Sequence, residues 1–146
     1  MNTGDTMEMF RQMKKRIAME HWDEKVKFLG FRNDIPRLMA ASDILTHPTR
    51  IEGFGLVLAE ALAVGLPIVA SNVEGIPEVL AGSDSIMVSP DDPLALREAV
   101  LRTLHREPHE AASASEKGRA RAEEFRIAKR TDAMIQLFDD VLSGRF

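Results

Sequence analysis

The stretch Gly53–Ala70 constrains the fold of this chain more than any other. It reads GFGLVLAEALAVGLPIVA, and Glu60 is its only ionisable residue. Gly65 and Pro67 divide the stretch into a helix and a following strand, because a glycine favours the end of a helix and a proline cannot continue it. A helix that ends before Pro67 is too short to span a bilayer. The stretch therefore predicts a buried helix followed by a buried strand.

Short apolar strands alternate with helical patterns along the first two thirds of the chain, which is typical of an α/β fold with a mostly parallel sheet. Apolar spacing predicts strands over residues 26–29, 44–47, 68–70 and 86–88. The corresponding helices are predicted over residues 7–21, 35–41, 55–64, 76–80 and 93–104.

Residues 107–146 contain no strand candidate and form a predicted helical extension, broken near Pro108 and around Gly118. The last helix, predicted over 128–142, carries an apolar stripe that predicts packing on the core. The residues of this stripe are Met134, Ile135, Leu137, Phe138 and Val141.

Length and composition narrow the functional classes. The chain has 146 residues, a size that predicts one domain over 1–146 with 107–146 as its helical extension. Its formal net charge of −4 argues against nucleic acid and anionic membrane surfaces as partners. It has no cysteine and its first residues do not resemble a secretory signal, so we expect a cytoplasmic protein without direct membrane insertion.

Two acids flank the glycine turn at the start of the apolar stretch. A carboxylate such as Glu60 in an apolar run needs a partner, because burying it unpaired costs free energy or forces it to take up a proton. Gly53-Phe54-Gly55 fits a strand-to-helix turn whose free N–H groups can hold an anion. Together with Glu52, these residues predict a binding site for a ligand that carries phosphate and hydroxyl groups. The alternatives are a solvent-facing Glu60 and a turn with no ligand.

Six short segments of the chain carry a recognisable pattern. They are Phe28–Phe31, Pro48-Thr49, Glu52–Leu56, Glu60–Ala63, Gly65–Ala70 and Gly75–Val79. In order and spacing, these segments resemble the nucleotide-sugar glycosyltransferases of family 4. The resemblance implies a retaining glycosyltransferase of the GT-B fold, in which two Rossmann-like domains face each other across a cleft. This chain resembles the carboxyl-terminal, donor-binding domain: a Rossmann-like parallel sheet with flanking helices and a helical tail.

The resemblance also implies roles for individual residues. Glu52 matches the acid that contacts the transferred sugar near its reacting carbon, where it stabilises developing positive charge, and is the implied catalytic residue. Glu60 matches the acid that accepts hydrogen bonds from the ribose hydroxyls. The base is expected near the loop around Phe31, Arg32 and Asn33, chiefly in contact with the backbone. The diphosphate is expected at the backbone N–H groups of Gly53, Phe54, Gly55 and Leu56.

The resemblance implies no bound metal and no cofactor. The adjacent acids Asp91-Asp92 and Asp139-Asp140 are interpreted as a helix cap and a solvated helix face. His47, at the end of a predicted strand, is more often a packed or hydrogen-bonded histidine than a catalyst.

The chain departs from the family at its start. A donor domain of this family begins with two strands and a helix that are expected to be missing here, with Gly4-Asp5 as the tail of a loop. The strands at 26–29 and 44–47 would then lack their normal neighbours. We therefore expect a fragment, a truncated reading frame or one chain of a split enzyme, inactive without a missing amino-terminal domain or partner chain.

The sequence thus predicts a domain that binds a nucleotide-diphosphate sugar and transfers its glycosyl group to an acceptor, in cell-surface polysaccharide or glycolipid assembly. Contact with the inner face of the membrane is expected only through the acceptor. One alternative is a non-catalytic nucleotide-sugar-binding or assembly module, or a subunit of a split glycosyltransferase. Another GT-B-like enzyme, such as a sugar-nucleotide epimerase, is a third.

Overall fold

The computed structural model describes residues 3–145, without the side chains of residues 3–5. Contacts within the chain define two units, Met1–Asn33 and Asp34–Phe146. No helix in the described part of the chain is long and apolar enough to cross a membrane.

The first unit consists of helix α1, Thr3–Met19, and an irregular segment that follows it. The ring of Phe10 on α1 packs edge-to-face against Phe28, with 4.8 Å between the ring centroids. The loop expected at Gly4-Asp5 is wrong, because both residues lie in the first turn of α1. Short polar residues such as Asp are as typical of a helix start as of a loop, so composition did not separate the two.

The strand predicted over residues 26–29 is also wrong, since these residues form no strand. A strand exists only when a neighbouring strand pairs with its backbone, and no described strand pairs with this segment. Val26, Phe28 and Leu29 remain 38%, 42% and 49% exposed. An apolar run was therefore not enough to make a strand.

The second unit is built on a parallel sheet of three described strands, in the order β1-β2-β3. Leu45 of β1 pairs with Ile68 of β2, and Val69 of β2 pairs with Ile86 of β3. All residues of the central strand β2 are buried, as expected for a parallel strand that is covered on both faces. The strands are β1 Leu45–His47, β2 Ile68–Ser71 and β3 Ile86–Val88.

Six α-helices follow α1 in the described part of the chain, and all but the helix Pro108–Ala122 have bounds close to predicted ones. The break expected around Gly118 is wrong, because α6 continues through this buried glycine and ends in a single 3₁₀ turn at Glu123–Phe125. The helices are α2 Ile35–Ala40, α3 Leu56–Val64, α4 Ile76–Leu80, α5 Pro93–Leu104, α6 Pro108–Ala122 and α7 Ile127–Leu142.

Helix α3 lies at the centre of the core, where it packs against α6 and the sheet. Leu58 and Leu62 on this helix are almost completely buried, as is Ile68 of β2. The helix ends at Gly65 as predicted, with φ at +76°, and the Gly65 and Leu66 N–H groups bond to carbonyls of its last turn. The carboxyl-terminal end of α3 is therefore fixed by a glycine.

The apolar stripe of α7 does not pack on the core, which corrects the prediction made from its spacing. Helical spacing shows that the residues share a face, but burial also requires a surface for that face to meet. Met134, Ile135, Leu137, Phe138 and Val141 are all 49% exposed or more.

Candidate functional site

The candidate site follows β1, at the end of the sheet where all three parallel strands have their carboxyl termini. Open parallel α/β sheets bind ligands at this end. Pro48 follows the last residue of β1, and the chain then runs through Glu52 and the glycine turn into α3. The acid, the turn and the start of the helix are thus continuous in sequence and in space.

Both carboxylate oxygens of Glu52 are held by contacts within the chain. Oε1 accepts a hydrogen bond from the Gly55 N–H at 3.0 Å, and Oε2 lies 3.2 Å from Nε2 of His47. The Glu52 side chain is 26% exposed and that of His47 is 24% exposed. His47 is therefore hydrogen-bonded, as the sequence favoured, and its partner is the predicted catalytic acid.

Two glycines, Gly55 and Gly75, fix the turn between Glu52 and α3. Gly55 has φ at +75°, a left-handed conformation that glycine adopts without strain. Gly75, in the loop before α4, lies so close to the Gly53 carbonyl oxygen that a Cβ at position 75 would overlap it. A second loop therefore supports the turn from behind.

The same turn leaves backbone donors for a ligand. Among the described residues, the Gly55 N–H already donates to Glu52, whereas the N–H groups of Gly53, Phe54 and Leu56 have no hydrogen-bond partner. These donors precede or begin the nine-residue helix α3, at its positive dipole end. One of the four predicted diphosphate contacts is thus occupied within the chain, and three remain for an anion.

Glu60 lies on the exposed side of α3, which corrects the expectation that burial would oblige it to find a partner. The buried side of the helix carries Leu58, Ala61 and Leu62 instead. The sequence did not reveal the exposure of Glu60, because other exposed positions of the helix are also apolar. Leu56 is 68% exposed, and Ala63 is exposed as well. Glu60 is available to a ligand but is not forced to bind one.

A hollow of about 310 Å³ extends from Glu60 to the start of α7. Phe54 and Leu56 line it on the side of the glycine turn, and Arg126 and Arg130 line it on the other side. The Arg130 guanidinium lies 4.8 Å from the centroid of the Phe54 ring. Sequence reasoning missed both arginines, because they follow Glu60 by more than sixty residues.

The residues predicted for the base belong to the other unit. Phe31 and Arg32 follow Gly30, which has φ at +65°. The Phe31 side chain is 94% exposed, so its aromatic ring is free to stack on a ligand.

The sequence also missed a cavity of about 430 Å³ at the carboxyl ends of the strands. Arg50 after β1 and Asp91 after β3 both line it, and Arg50 Nε lies 2.8 Å from Asp91 Oδ1. The prediction that Asp92 caps α5 is confirmed, since its side chain accepts a hydrogen bond from the Ala95 N–H. Within residues 6–145, no group of three or more acids and histidines is arranged to hold a metal ion.

A family model described as glycosyl transferases group 1 matches residues 3–106 of the chain. The lipopolysaccharide core biosynthesis mannosyltransferase LpsB of Rhizobium meliloti is 30% identical over 144 residues, which are 96% of this chain and 41% of that protein.

Solved structures show the same fold. A sucrose-phosphate synthase from Thermosynechococcus elongatus gives a TM-score of 0.81 at 27% identity, over 92% of this chain and 34% of that one. HepE of Anabaena in complex with UDP gives 0.79 at 29% identity, over 98% and 38%. These matches confirm the predicted Rossmann-like α/β fold of GT-B type. The chain therefore spans only part of these proteins, from 34% of the sucrose-phosphate synthase to 41% of LpsB.

Proposed function

This chain belongs to the group 1 glycosyl transferases, and from that premise we propose that it binds a nucleotide-diphosphate sugar and takes part in transferring the sugar to an acceptor. The observation that carries the proposal is the pairing of Glu52, held at both oxygens, with the donor-rich start of α3. The start of α3 can bind the phosphates of such a ligand, and Glu52 lies beside it, where it can contact the sugar.

The start of α3 is the proposed diphosphate site. The N–H groups of Gly53, Phe54 and Leu56 have no hydrogen-bond partner among the described residues, and they precede or begin a helix whose amino-terminal end carries about half a positive charge. Gly53 is exposed and has no side chain, which lets phosphate oxygens approach its backbone. The solved HepE structure contains UDP, which supports a nucleoside diphosphate as the ligand class.

Glu52 is the proposed catalytic residue of a retaining transfer. As the bond between sugar and phosphate breaks, positive charge develops on the reacting carbon, and a nearby carboxylate stabilises it. A carboxylate that is already oriented does so without reorganising, and the contacts from His47 and Gly55 fix the orientation of Glu52.

Glu60 is the proposed acceptor of hydrogen bonds from the ribose hydroxyls. It is exposed and lines the hollow that begins at Phe54 and Leu56, next to the proposed diphosphate site. The base is proposed to contact Phe31 and Arg32. No metal ion or cofactor is needed in this scheme, since the helix end supplies the positive potential that the diphosphate requires.

We propose that 1–146 acts as one donor-binding domain, with 107–146 as its helical extension. An amino-terminal domain or partner chain would supply the acceptor side, and the chain alone would then transfer little sugar. We place the enzyme in the cytoplasm, in contact with the membrane only through its acceptor, as part of polysaccharide or glycolipid assembly. The similarity to LpsB, which is named for lipopolysaccharide core biosynthesis, supports a part in polysaccharide or glycolipid assembly.

A non-catalytic nucleotide-sugar-binding module, or a subunit of a split enzyme, is the alternative. The observation that favours it is the outer edge of β1, which pairs with no other strand among the described residues. An open edge of this kind is a site where another chain can add a strand.

Calorimetric titration of the chain with UDP, GDP and their sugars tests donor binding. Transfer is then measured after Glu52→Gln, Glu60→Gln and the control Glu98→Gln are introduced into the natural gene. We expect Glu52→Gln to lower kcat about 100-fold or more and Glu60→Gln to raise the donor KM roughly tenfold. Glu98, exposed on α5, should tolerate the change. Donor binding without transfer would favour the binding module, and near-normal kinetics in both variants would exclude the assigned roles.

A further inference from the structure

The cavity at the carboxyl ends of β1, β2 and β3 has no role in the donor scheme. Its volume of about 430 Å³ lies within the range of small-molecule sites, roughly 300–1,000 Å³. Apolar side chains form part of its wall, and hydroxyl and charged groups form the rest. The residues used in the argument are Thr49, Arg50, Ser71, Val88, Asp91 and Leu96.

The inner end of the cavity carries a buried hydroxyl. Ser71, the last residue of β2, is 3% exposed. Its Oγ accepts a hydrogen bond from the Thr49 N–H at 3.0 Å. A serine hydroxyl has one hydrogen and two lone pairs, so it can still donate to a ligand. The contact also ties the loop after β1 to the end of β2, which fixes the shape of the cavity.

An ion pair stands at the outer end. Arg50 Nε lies 2.8 Å from Asp91 Oδ1, and the two side chains are 80% and 63% exposed. An exposed pair of this kind contributes little stability, about 0–1 kcal/mol. The other guanidinium N–H groups and Asp91 Oδ2 remain available. The pair thus offers a donor and an acceptor side by side, which suits two neighbouring hydroxyl groups.

The backbone at Asp91 has a conformation unusual for a residue with a side chain. Its φ is +60°, in the left-handed region. Such positions concentrate at ligand sites, because a surrounding structure must hold them in place. Here the conformation accompanies the contact between Asp91 and Arg50, from two loops 41 positions apart in sequence.

The charge of the cavity selects against anions. Asp91 and Asp92 bring two carboxylates against the single guanidinium of Arg50. The start of α5 offers little compensation, because Pro93 has no N–H and the Ala95 N–H is bonded to Asp92. A phosphate or nucleotide is therefore repelled, whereas an uncharged polyhydroxyl ligand is not.

We propose that this cavity binds an uncharged saccharide. The hydroxyl groups of the sugar bond to Ser71, Arg50 and Asp91, and its C–H face rests on the apolar walls at Val88 and Leu96. This saccharide site does not depend on the donor site proposed above.

The test is a titration of the isotope-labelled chain with the methyl glycosides of glucose, mannose and N-acetylglucosamine, followed through its backbone amide resonances. At least one glycoside should shift Thr49, Ser71 and Asp91 saturably, and UDP should not displace it. Asp91→Asn and Arg50→Gln should each weaken that binding about fivefold or more. Asp43→Asn, an exposed acid at the other end of β1, is the matched control and should change nothing.

The proposal is overturned if none of the three glycosides shifts these residues, if Asp91→Asn and Asp43→Asn bind alike, or if UDP competes for the cavity. Glycoside binding that persists in a chain unable to bind UDP would support this site and count against the donor scheme. The two proposals therefore fail separately. Arg50 and Asp91 are both exposed, so the variants should fold, and thermal unfolding checks that they do.

Discussion

Helices α3 and α7 are both rich in apolar residues, yet only α3 is buried. Leu58 and Leu62 on α3 are enclosed by the sheet and α6, whereas Leu137 and Phe138 on α7 are 49% and 60% exposed. Helix α7 carries more charged residues than α3, but its apolar stripe is exposed because no described surface covers it. Apolar content therefore predicts the tendency of a helix to be buried, and the rest of the molecule decides whether it is.

The contrast bears directly on function. The backbone N–H groups that are proposed to bind the diphosphate lie at the start of α3, the helix at the centre of the core. A ligand site on a rigid element needs no ordering when the ligand arrives, so more of the interaction energy appears as affinity. Helix α7 is not fixed in the core in this way. It contributes Arg130 to the hollow near Glu60.

The largest expected effect compares one leucine from each helix. Leu58→Ala should lower the free energy of unfolding by about 2–5 kcal/mol, because it leaves a cavity in a closed core. Leu137→Ala should cost less than about 0.5 kcal/mol, since half of that side chain is already in water. Urea denaturation measures both. Equal losses would show that α7 packs on a surface in solution, and the contrast between the helices would be lost.

The next effect concerns the support behind the glycine turn. Gly75→Ala should cost roughly 1–3 kcal/mol and weaken UDP binding, because its Cβ would overlap the backbone of Gly53. Gly118→Ala is the control in α6. Its Cβ would meet Leu62 at an ordinary 3.4 Å, and alanine favours a helix by up to about 1 kcal/mol. Thermal unfolding and calorimetry would contradict this account if the two variants behaved alike.

A smaller effect is expected from the residue that holds Glu52. His47→Leu removes the contact with Oε2, so only one of the two carboxylate oxygens of Glu52 is still held. Turnover should fall about 3–10-fold with little change in the donor KM. This is less than the full value of a hydrogen bond to a charged group, about 1.5–3 kcal/mol, because the Gly55 N–H still orients Glu52. His105→Leu, an exposed histidine that bonds to its own helix, should leave turnover unchanged. Steady-state kinetics would contradict the positioning role if both variants matched the wild type.

The smallest effect tests how α7 is joined to the turn before it. The hydrogen bond from Lys129, together with its charge, holds the pKa of Glu124 below its usual value. This contact therefore favours the folded state at neutral pH and is lost as the pH falls through the lowered pKa. Lys129→Met should raise the Glu124 pKa towards the usual value, as followed by NMR titration, and Lys117→Met should not. An unchanged Glu124 would mean that the pair does not form in solution.

The sequence predicted features that depend on local chemistry. The cap at Gly65, the strand at Ile68 and the helix that begins at Pro93 all carry signals in the residues themselves, and all were found. The acid, glycine turn and helix of the site were predicted for the same reason. The Gly55 bond to Glu52 was not, because it depends on the path of the turn.

Features that depend on distant partners were missed. The segment at 26–29 has the composition of a strand and no strand beside it. The exposure of Glu60 depends on which side of α3 meets the core, and apolar residues on both sides hid the answer. The pairing of Arg50 with Asp91 joins two loops that only the sheet brings together. Each needed knowledge of the neighbours in space.

The most direct test of the account is a titration of the labelled chain with UDP, observed at the backbone amides between Glu52 and α3. We predict saturable shifts that are largest at Gly53, Phe54 and Leu56, with weaker binding after Glu60→Gln. No shift in this turn, or shifts confined to other parts of the chain, would contradict the claim that the start of α3 binds the donor.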